Sequence, residues 1–194
     1  NRAIENSLKT DFGRKKVIVI LGPRQVGKTT LLEALGTSDK KCLMLNCDDI
    51  DDAMLIENKT STELKTLISS YDLVCIDEAQ RVRNIGMTLK KIGDLKLDTQ
   101  VIVTGSSSFD LSNDINEPAT GRLLEYQFFP LSMSELAANS SAREQQRLLG
   151  NRLVYGLYPE VVTLPSDAKR TLTTLVNNYL YKDILSYKGI KKPE

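Results

Sequence analysis

The sequence VIVILGPRQVGKTT, residues 17–30, joins an apolar run to a glycine-rich turn and a lysine. The turn has the spacing Gly-x-x-x-x-Gly-Lys-Thr and runs from Gly22 to Thr29. Glycines allow a tight turn that brings consecutive backbone N–H groups against phosphate oxygens. The apolar run predicts a strand before the turn, and the segment from Lys28 predicts a helix whose positive end points at the anion. The sequence therefore predicts a site for the phosphates of a nucleotide.

Each fixed position of this loop has its own task. Lys28 supplies a compact positive charge for the β- and γ-phosphates, and the Thr29 hydroxyl can ligate Mg²⁺. For Arg24 we weigh a phosphate contact against a solvated side chain and favour the solvated one. The residues expected to bind nucleotide are Gly22, Pro23, Arg24, Gln25, Val26, Gly27, Lys28, Thr29 and Thr30.

Composition excludes several classes of function. The chain has 194 residues, 41% apolar and 26% charged, which suits one globular domain with a small appendage. Its net charge of +1 gives no general attraction to nucleic acid or membrane, and the absence of histidine excludes His-based catalysis. No apolar run approaches the roughly 18 residues of a membrane span. Three scattered cysteines favour a cytoplasmic protein.

Short apolar runs alternate with segments of helical periodicity. The strand candidates are residues 17–21, 42–46, 73–76, 101–104 and 124–129, and the helix candidates between them are 28–35, 61–69 and 87–95. The first four strands are unbroken and rich in Val, Ile or Leu, as expected for strands buried on both faces. The alternation predicts a parallel sheet covered by helices on both faces.

The pattern changes after Pro130. Helical segments follow at residues 132–138, 142–154 and 166–184, and the last of them has one apolar face. We therefore predict a core domain over residues 1–130 and a helical appendage over residues 131–194. Because the chain opens on Asn1 without a methionine and stops without an obvious ending, we expect a fragment of a longer protein.

The stretch LVCIDEAQRV, residues 73–82, ends a second buried strand in two acids. The first acid, Asp77, emerges at the carboxyl end of the strand, the edge where open α/β sheets hold ligands. We expect Asp77 to hold Mg²⁺ together with Thr29. We expect Glu78 to orient or deprotonate the water that attacks the γ-phosphate.

Later segments supply candidates for sensing the γ-phosphate. Of the hydroxyls that end the next predicted strand, we favour Ser106 or Ser107 over Thr104, against the alternative of an ordinary turn. Arg122 can reach phosphate within its own chain or across an interface, with an exposed ion pair as an equal alternative. For a run of aspartates after the second strand, helix capping and solvation are favoured over metal binding: Asp48, Asp49, Asp51 and Asp52.

In this order, the segments resemble a family of bacterial and archaeal AAA-type P-loop ATPases. In that family the ATPase domain precedes a C-terminal domain that looks like a restriction nuclease and has no assigned function. The matching stretches are ILGPRQVGKTTLL, NCDD, CIDEAQRVRNIG, VTGSSSFDLS, TGRLLEYQFFPLSMSEL and YGLYPEVV. They extend from about residue 17 to about residue 162, so the resemblance covers most of the chain.

The resemblance implies a P-loop NTPase fold with three α/β/α layers. Its sheet would be mainly parallel and five-stranded, with one additional strand between the loop strand and the acid strand, and a small helical appendage would follow. The implied roles are Lys28 and Thr29 at phosphate and magnesium, Asp77 and Glu78 at metal and water, Ser106 or Ser107 as sensor, and Arg122 as a phosphate-sensing arginine.

Three positions depart from the family pattern. Arg83 stands where the family often has proline, and Leu157 and Tyr158 replace a more usual Gly-Phe pair. None of the three touches the expected chemistry. The family's C-terminal domain is expected to be absent from this chain, so any DNA-directed activity that it confers cannot be predicted here.

The leading interpretation is Mg²⁺-dependent ATP binding and hydrolysis, with turnover that need not be fast in this part alone. The alternative is a slow switch whose nucleotide state controls a C-terminal domain or a DNA or protein partner. Adenine specificity follows only from the resemblance. A homo-oligomer is needed if Arg122 acts across an interface, whereas a monomer suffices if it acts within the chain.

Three other classes are disfavoured. The letters DEAQ match a helicase box, but the chain lacks a second motor core and a basic, aromatic groove for single strands. The sequence NKTS, residues 58–61, only partly matches a guanine-binding Asn-Lys-x-Asp and precedes the acid strand. A P-loop kinase would need an acceptor site and a lid, and Glu78 favours hydrolysis.

Overall fold

The computed structural model describes residues 2–37, 40–106 and 121–177. Contacts divide the chain into two units, Asn1–Pro23 with Gly27–Phe128, and Arg24–Val26 with Phe129–Glu194. The first unit contains, in chain order, α1 (Ile4–Asp11), β1 (Val17–Leu21), α2 (Lys28–Gly36), β2 (Cys42–Asn46), α3 (Ile50–Met54), α4 (Ser61–Ile68), β3 (Leu73–Asp77), a 3-10 turn (Ala79–Arg81), α5 (Ile85–Leu95), β4 (Gln100–Gly105) and β5 (Leu123–Gln127).

The described strands form one parallel sheet in the order β2-β3-β4-β1-β5. Ile102 of β4 pairs with Ile18 of β1 on one side and with Cys75 of β3 on the other. This confirms the predicted five-stranded sheet, in which one strand separates the loop strand from the acid strand. Because the strands are parallel, the carboxyl ends of β1, β3 and β4 share one edge of the sheet.

Helices cover both faces of this sheet. On one face, α4 and α5 contribute Leu64, Ile68 and Leu89 to the same buried cluster as Val19 and Val103 of the strands. The buried leucines of α2 lie outside that cluster, and α2 packs against β2, β3 and β4 from the other face. Burial of apolar side chains on both faces of the central strands is the main stabilising contribution to this three-layer arrangement.

The two edge strands are less buried than the central ones. Every residue of β1, β3 and β4 is buried, whereas β2 has one buried residue and Met44 is 39% exposed. The expectation that β2 is buried on both faces was therefore wrong. The reason is position, since β2 ends the sheet and has a neighbour only in β3.

The second unit is helical in its described part. It contains α6 (Met133–Ala137), α7 (Ala142–Tyr155), α8 (Pro159–Thr163), a 3-10 turn (Pro165–Asp167) and α9 (Ala168–Leu175). A capping box starts α6, because Ser132 accepts from the Glu135 N–H while the Glu135 carboxylate accepts from the Ser132 N–H. The predicted helix 166–184 is present from Ala168, and its part beyond residue 177 lies outside the described residues.

The end of β1 leaves no room for a side chain at Gly22. A Cβ there would overlap the carbonyl oxygen of Phe128 and lie 3.1 Å from its carbonyl carbon. The Phe128 N–H donates to the Leu21 carbonyl at 2.6 Å, so the two segments cannot separate without losing that hydrogen bond. Backbone packing by itself therefore requires glycine at the start of this loop.

We expect Gly22→Ala to lower the free energy of unfolding by about 1–3 kcal/mol, as overpacking against backbone does. The matched control is Gly150→Ala in α7, where an added Cβ meets nothing within 4 Å. That control should raise the free energy by about 0.5–1 kcal/mol, because alanine favours helix. Urea denaturation followed by circular dichroism compares the variants. Equal midpoints for Gly22→Ala and the wild type would contradict the close approach.

Candidate functional site

The lysine of the loop is buried against the backbone of the loop itself. Lys28 begins α2 and is only 4% exposed. Its Nζ donates to the carbonyl oxygens of Gly22 and Pro23, both at 2.9 Å. Gly27, at φ 93°, turns the chain into the helix in a conformation that favours glycine. A cation held at the amino end of a helix makes this loop a positive centre suited to an anion.

A second cation lies beside the loop. The Arg2 guanidinium stacks over the Phe128 ring at 4.0 Å from its centroid. Its Nη1 would lie 3.8 Å from a Cβ on Gly27. Arg2 is not among the predicted site residues, because α1 was not predicted and nothing in its local sequence indicates that the fold returns it to the loop.

Asp77 joins the loop helix to two strands of the sheet. The hydroxyl of Thr29 donates to Asp77 Oδ2 at 2.6 Å, and the hydroxyl of Thr104 donates to Asp77 Oδ1. The carboxylate is buried, with Asp77 only 4% exposed. Residues from α2, β3 and β4 therefore converge on one carboxylate at the carboxyl edge of the sheet.

Glu78 has a backbone conformation that is rare for a residue with a side chain. Its φ of 51° and ψ of 40° lie in the left-handed region, which costs about 1 kcal/mol or more. The Glu78 N–H donates to Thr104 Oγ1 at 3.3 Å, and its carbonyl accepts from the Arg81 N–H at 3.0 Å. The carboxylate accepts from Gln80 Nε2. These contacts hold the strained residue directly beside Asp77.

Of the two expected sensor serines, one lies in the described part of the chain. Ser106 directly follows β4 and is 4% exposed. Its N–H donates to Gln80 Oε1 at 3.3 Å, so the structure brings the Ser106 backbone to the acid pair through Gln80. Ser107 lies outside the described residues. The sensor role of both residues stays a prediction.

Arg122 lies at the amino ends of the strands, whereas the phosphate loop lies at their carboxyl ends. Its carbonyl accepts from the N–H of Val17, which starts β1, whereas the loop follows Leu21 at the other end of that strand. The Arg122 guanidinium pairs with Asp94 near the end of α5. A five-residue strand spans about 16 Å. The structure therefore does not bring Arg122 to the loop and the acids of its own chain.

The aspartates after β2 cap a helix and form surface contacts. Asp49 is the N-cap of α3 and accepts from the Asp51 N–H at 2.9 Å, which confirms the capping interpretation. Asp48 pairs with Arg81 at 2.8 Å, and Asp52 accepts from the backbone of β2 at 2.8 Å. Within the described ranges, no group of three or more acidic or cysteine side chains is arranged to hold a metal ion.

Several carboxylates lie near a buried thiol at this corner of the sheet. Burial, and secondarily the nearby carboxylates of Asp52, Asp77, Asp48 and Glu78, raise the pKa of Cys47 to about 12. Its N–H donates to the Asp77 carbonyl at 3.0 Å, so the thiol belongs to the same corner of the sheet. Acids on one side and Lys28 on the other are a charge arrangement that suits a cation together with a phosphate.

The donor set fits magnesium. Thr29 and Asp77 present a hydroxyl and a carboxylate in contact with each other. Mg²⁺ prefers such oxygen ligands, and in phosphate sites it commonly takes one or two carboxylates together with phosphate oxygens and waters. A site with few protein ligands is therefore compatible with the absence of a larger acidic cluster from the described residues.

Comparison with known proteins identifies the family. The model of a family described as "AAA domain" matches residues 14–137. The chain belongs to this AAA domain family. Membership confirms the AAA-type ATPase assignment in its general form, a nucleotide-binding domain of the ATPase type. The match ends before most of the second unit.

The relatives that match are uncharacterised proteins. One from Mycobacterium tuberculosis is 27% identical over 137 residues, covering 70% of this chain and 30% of the relative. One from Haemophilus influenzae is 26% identical over 198 residues, covering 94% and 48%. One from Methanocaldococcus jannaschii is 24% identical over 207 residues, covering 98% and 46%. The chain thus spans less than half the length of each.

A solved structure of a DNA replication initiation factor is also similar. The identity is 19% and the TM-score 0.43, over 97% of this chain and 72% of that one. A likeness at this level says nothing about function. Separately, no helix within the described ranges is long and apolar enough to cross a membrane.

The sequence did not indicate that two further residues belong to the acid group. Thr104 was considered only as a sensor, below the serines, and the structure shows that its hydroxyl contacts both Asp77 and the Glu78 backbone. The register places it there, because Val103 pairs with Ile76 and the next residue of each strand is also adjacent. Gln80, the fourth letter of DEAQ, was overlooked, since only the turned backbone at Glu78 brings its side chain back to the acids.

We expect Thr104→Val to lower the free energy of unfolding by about 1–3 kcal/mol, because it leaves the buried Asp77 carboxylate and the Glu78 N–H without the hydroxyl. Thr104→Ser keeps the hydroxyl and loses one methyl group, so its cost should be about 1 kcal/mol. Thermal and urea unfolding measure both variants. A valine variant as stable as the serine variant would contradict the assigned hydrogen bonds.

Proposed function

We propose that this domain binds ATP with Mg²⁺ and hydrolyses it to ADP and phosphate. The observation that carries the proposal is the hydrogen bond from Thr29 to Asp77, which joins the phosphate loop to the acid strand. A phosphate-loop threonine beside a carboxylate at the carboxyl end of a strand is the arrangement that P-loop ATPases use for a nucleotide–magnesium complex. The buried ammonium of Lys28 lies at the same end of α2.

Each residue of the site has a distinct role in this reaction. The backbone of the loop and Lys28 hold the β- and γ-phosphates, and Thr29 and Asp77 would hold Mg²⁺, which supplies positive charge to the phosphate oxygens. Glu78 orients a water and accepts its proton as the water oxygen bonds to the γ-phosphorus. The bond from that phosphorus to the bridging oxygen breaks, and ADP leaves with the electron pair. Ser106 and Ser107 contact the γ-phosphate as sensors.

We also propose two regions along the chain. Residues 1–130 form the ATPase core, and residues 131–194 form a helical appendage.

A slow nucleotide switch is the second candidate function. It is favoured by the fact that the relatives are at least twice as long as the matched region. The further length of such a protein would then bind the DNA or protein partner that the nucleotide state controls. Free cysteines in the described residues favour a cytoplasmic setting.

Two variants test the assigned roles. We expect Lys28→Ala to abolish nucleotide binding, because it removes the cation of the loop. Glu78→Gln should retain binding and lower kcat by about a hundredfold or more, because it removes the base. Exposed residues of the same types provide the controls Lys65→Ala and Glu33→Gln. Binding of fluorescent ATP and GTP analogues and phosphate release are the measurements. Normal turnover by Glu78→Gln would refute the role of Glu78.

The switch is distinguished from the fast ATPase by its response to partners. Phosphate release is measured with and without DNA and peptide, and in the full-length chain. Turnover that stays low alone and rises with one partner supports the switch. A rate that no addition changes supports a constitutive ATPase.

We further propose that Arg122 acts on the nucleotide of a neighbouring subunit. Arg122 lies at the amino ends of the strands, away from the loop of its own chain, and pairs with Asp94. This position favours action across a subunit interface over action within the chain. An arginine supplied across an interface stabilises charge on the transferred phosphoryl group. The proposal therefore requires a homo-oligomer.

Mixing two inactive variants tests this arrangement. We expect Arg122→Ala to lower kcat by about a thousandfold, and Asp94→Asn, which breaks the same exposed ion pair but keeps the guanidinium, to change kcat by less than about twofold. A mixture of Arg122→Ala with Lys28→Ala should regain turnover, because one protein offers the loop and the other the arginine. If turnover is not restored in an oligomeric mixture, Arg122 does not act across the interface.

A further inference from the structure

Gln80 lies between the two parts of the site that the proposed reaction must coordinate. It is the central residue of the 3-10 turn Ala79–Arg81 that follows the acid pair. One end of its side-chain amide, Nε2, donates to the carboxylate of Glu78. The other end, Oε1, accepts from the N–H of Ser106 at 3.3 Å. One half-buried side chain thus spans from the end of β3 to the end of β4.

The orientation of this amide is determined by its partners. A carboxylate only accepts hydrogen bonds, and a backbone N–H only donates them. The two ends of a glutamine amide differ in the same way, because its NH2 group donates and its oxygen accepts. Rotating the amide by 180° would place acceptor against acceptor and donor against donor. Both hydrogen bonds form in one orientation, so Gln80 restrains the carboxylate of Glu78 and does not merely fill space beside it.

Glu78 is consequently held by β4 at two points. The hydroxyl of Thr104 accepts from the Glu78 backbone N–H, and the amide of Gln80 connects the Glu78 carboxylate to Ser106. The left-handed backbone of Glu78 persists because such contacts compensate its strain. A displacement of the end of β4 would therefore change the position of the Glu78 side chain.

We propose that Gln80 is a positioning residue for ATP hydrolysis, which keeps the Glu78 carboxylate aimed at the attacking water and couples it to the γ-phosphate-sensing end of β4. The inference rests on the proposed ATPase function. An amide is neither an acid nor a base near neutral pH, so the contribution of Gln80 is orientation. Small displacements of a reacting group cost about 10–100-fold in rate. Nucleotide affinity should not change, because Gln80 touches neither the loop nor Lys28 in its assigned hydrogen bonds.

Two variants of the full-length protein separate this role from a structural one. Gln80→Met keeps the length of the side chain and removes both hydrogen bonds. Gln80→Glu keeps an acceptor for the Ser106 N–H but puts a second carboxylate beside Glu78. We expect Gln80→Met to lower kcat by about 10–100-fold and Gln80→Glu to lower it at least as far. The KM for ATP and the affinity for an ATP analogue should remain close to those of the wild type, whereas the melting temperature of Gln80→Met should fall by a few degrees because the buried Ser106 N–H loses the Gln80 acceptor.

A matched control exists on the last strand. Gln127 donates to Glu125 at 3.0 Å, again two residues earlier in the chain, but on an exposed part of β5. Gln127→Met therefore removes a hydrogen bond of the same type and spacing away from the acid pair. Its kcat should equal that of the wild type.

A double-variant cycle tests whether Gln80 acts through Glu78. If it does, adding Gln80→Met to Glu78→Gln causes no further loss of the residual rate. A multiplied loss would show that Gln80 acts independently and would overturn the inference. So would wild-type kcat for Gln80→Met, or a loss of nucleotide affinity along with kcat.

The proposed function fails by different results. Normal turnover by Glu78→Gln would remove the role of Glu78 whatever Gln80→Met does. Absence of hydrolysis by the full-length wild type would reject the ATPase itself, and the inference with it. When Glu78→Gln is inactive and Gln80→Met is fully active, the ATPase proposal stands and only the inference on Gln80 is rejected.

Discussion

The hydrogen bond between Thr29 and Asp77 is the contact on which the rest of the site depends. It forms because α2 starts at the end of β1 while β3 delivers its last residue to the same edge, with β4 between them. The second oxygen of Asp77 accepts from Thr104 of that middle strand. A different strand order would leave a buried carboxylate without these donors, which costs several kcal/mol unless the group is neutralised. The order of the strands and the hydrogen bonding of the buried Asp77 carboxylate therefore depend on each other.

Much of the fold could be predicted from local sequence. The central strands are unbroken apolar runs because both of their faces are covered, and such runs are recognised without knowing their neighbours. The exposure of β2 could not be predicted in this way, because it depends on strand order and the run itself is as apolar as the others. The helices α1, α3 and α8 were not predicted. Their eight, five and five residues give little periodicity, although α4 and α6, which are equally short, were predicted.

The residues of the site also fall into two groups, those that local sequence identifies and those that only the fold brings to the site. Lys28, Thr29 and the acid pair have a spacing that identifies them in the chain, whereas the place of Thr104 follows from strand register. The place of Gln80 follows from the backbone of one strained residue. The distance of Arg122 from the loop could have been derived. Arg122 directly precedes β5, which runs parallel to β1, so it lies at the amino ends of these strands, whereas the loop follows the carboxyl end of β1.

The hydrogen bonds of Lys28 affect which ligands the loop can accept. Its ammonium donates to the carbonyls of Gly22 and Pro23, so the backbone of the loop itself compensates this buried cation. A ligand that drew the ammonium away from these carbonyls would weaken both bonds, and a charged ligand would offset that loss better than an uncharged one. The loop is in this way better suited to an anion than to an uncharged molecule of similar shape.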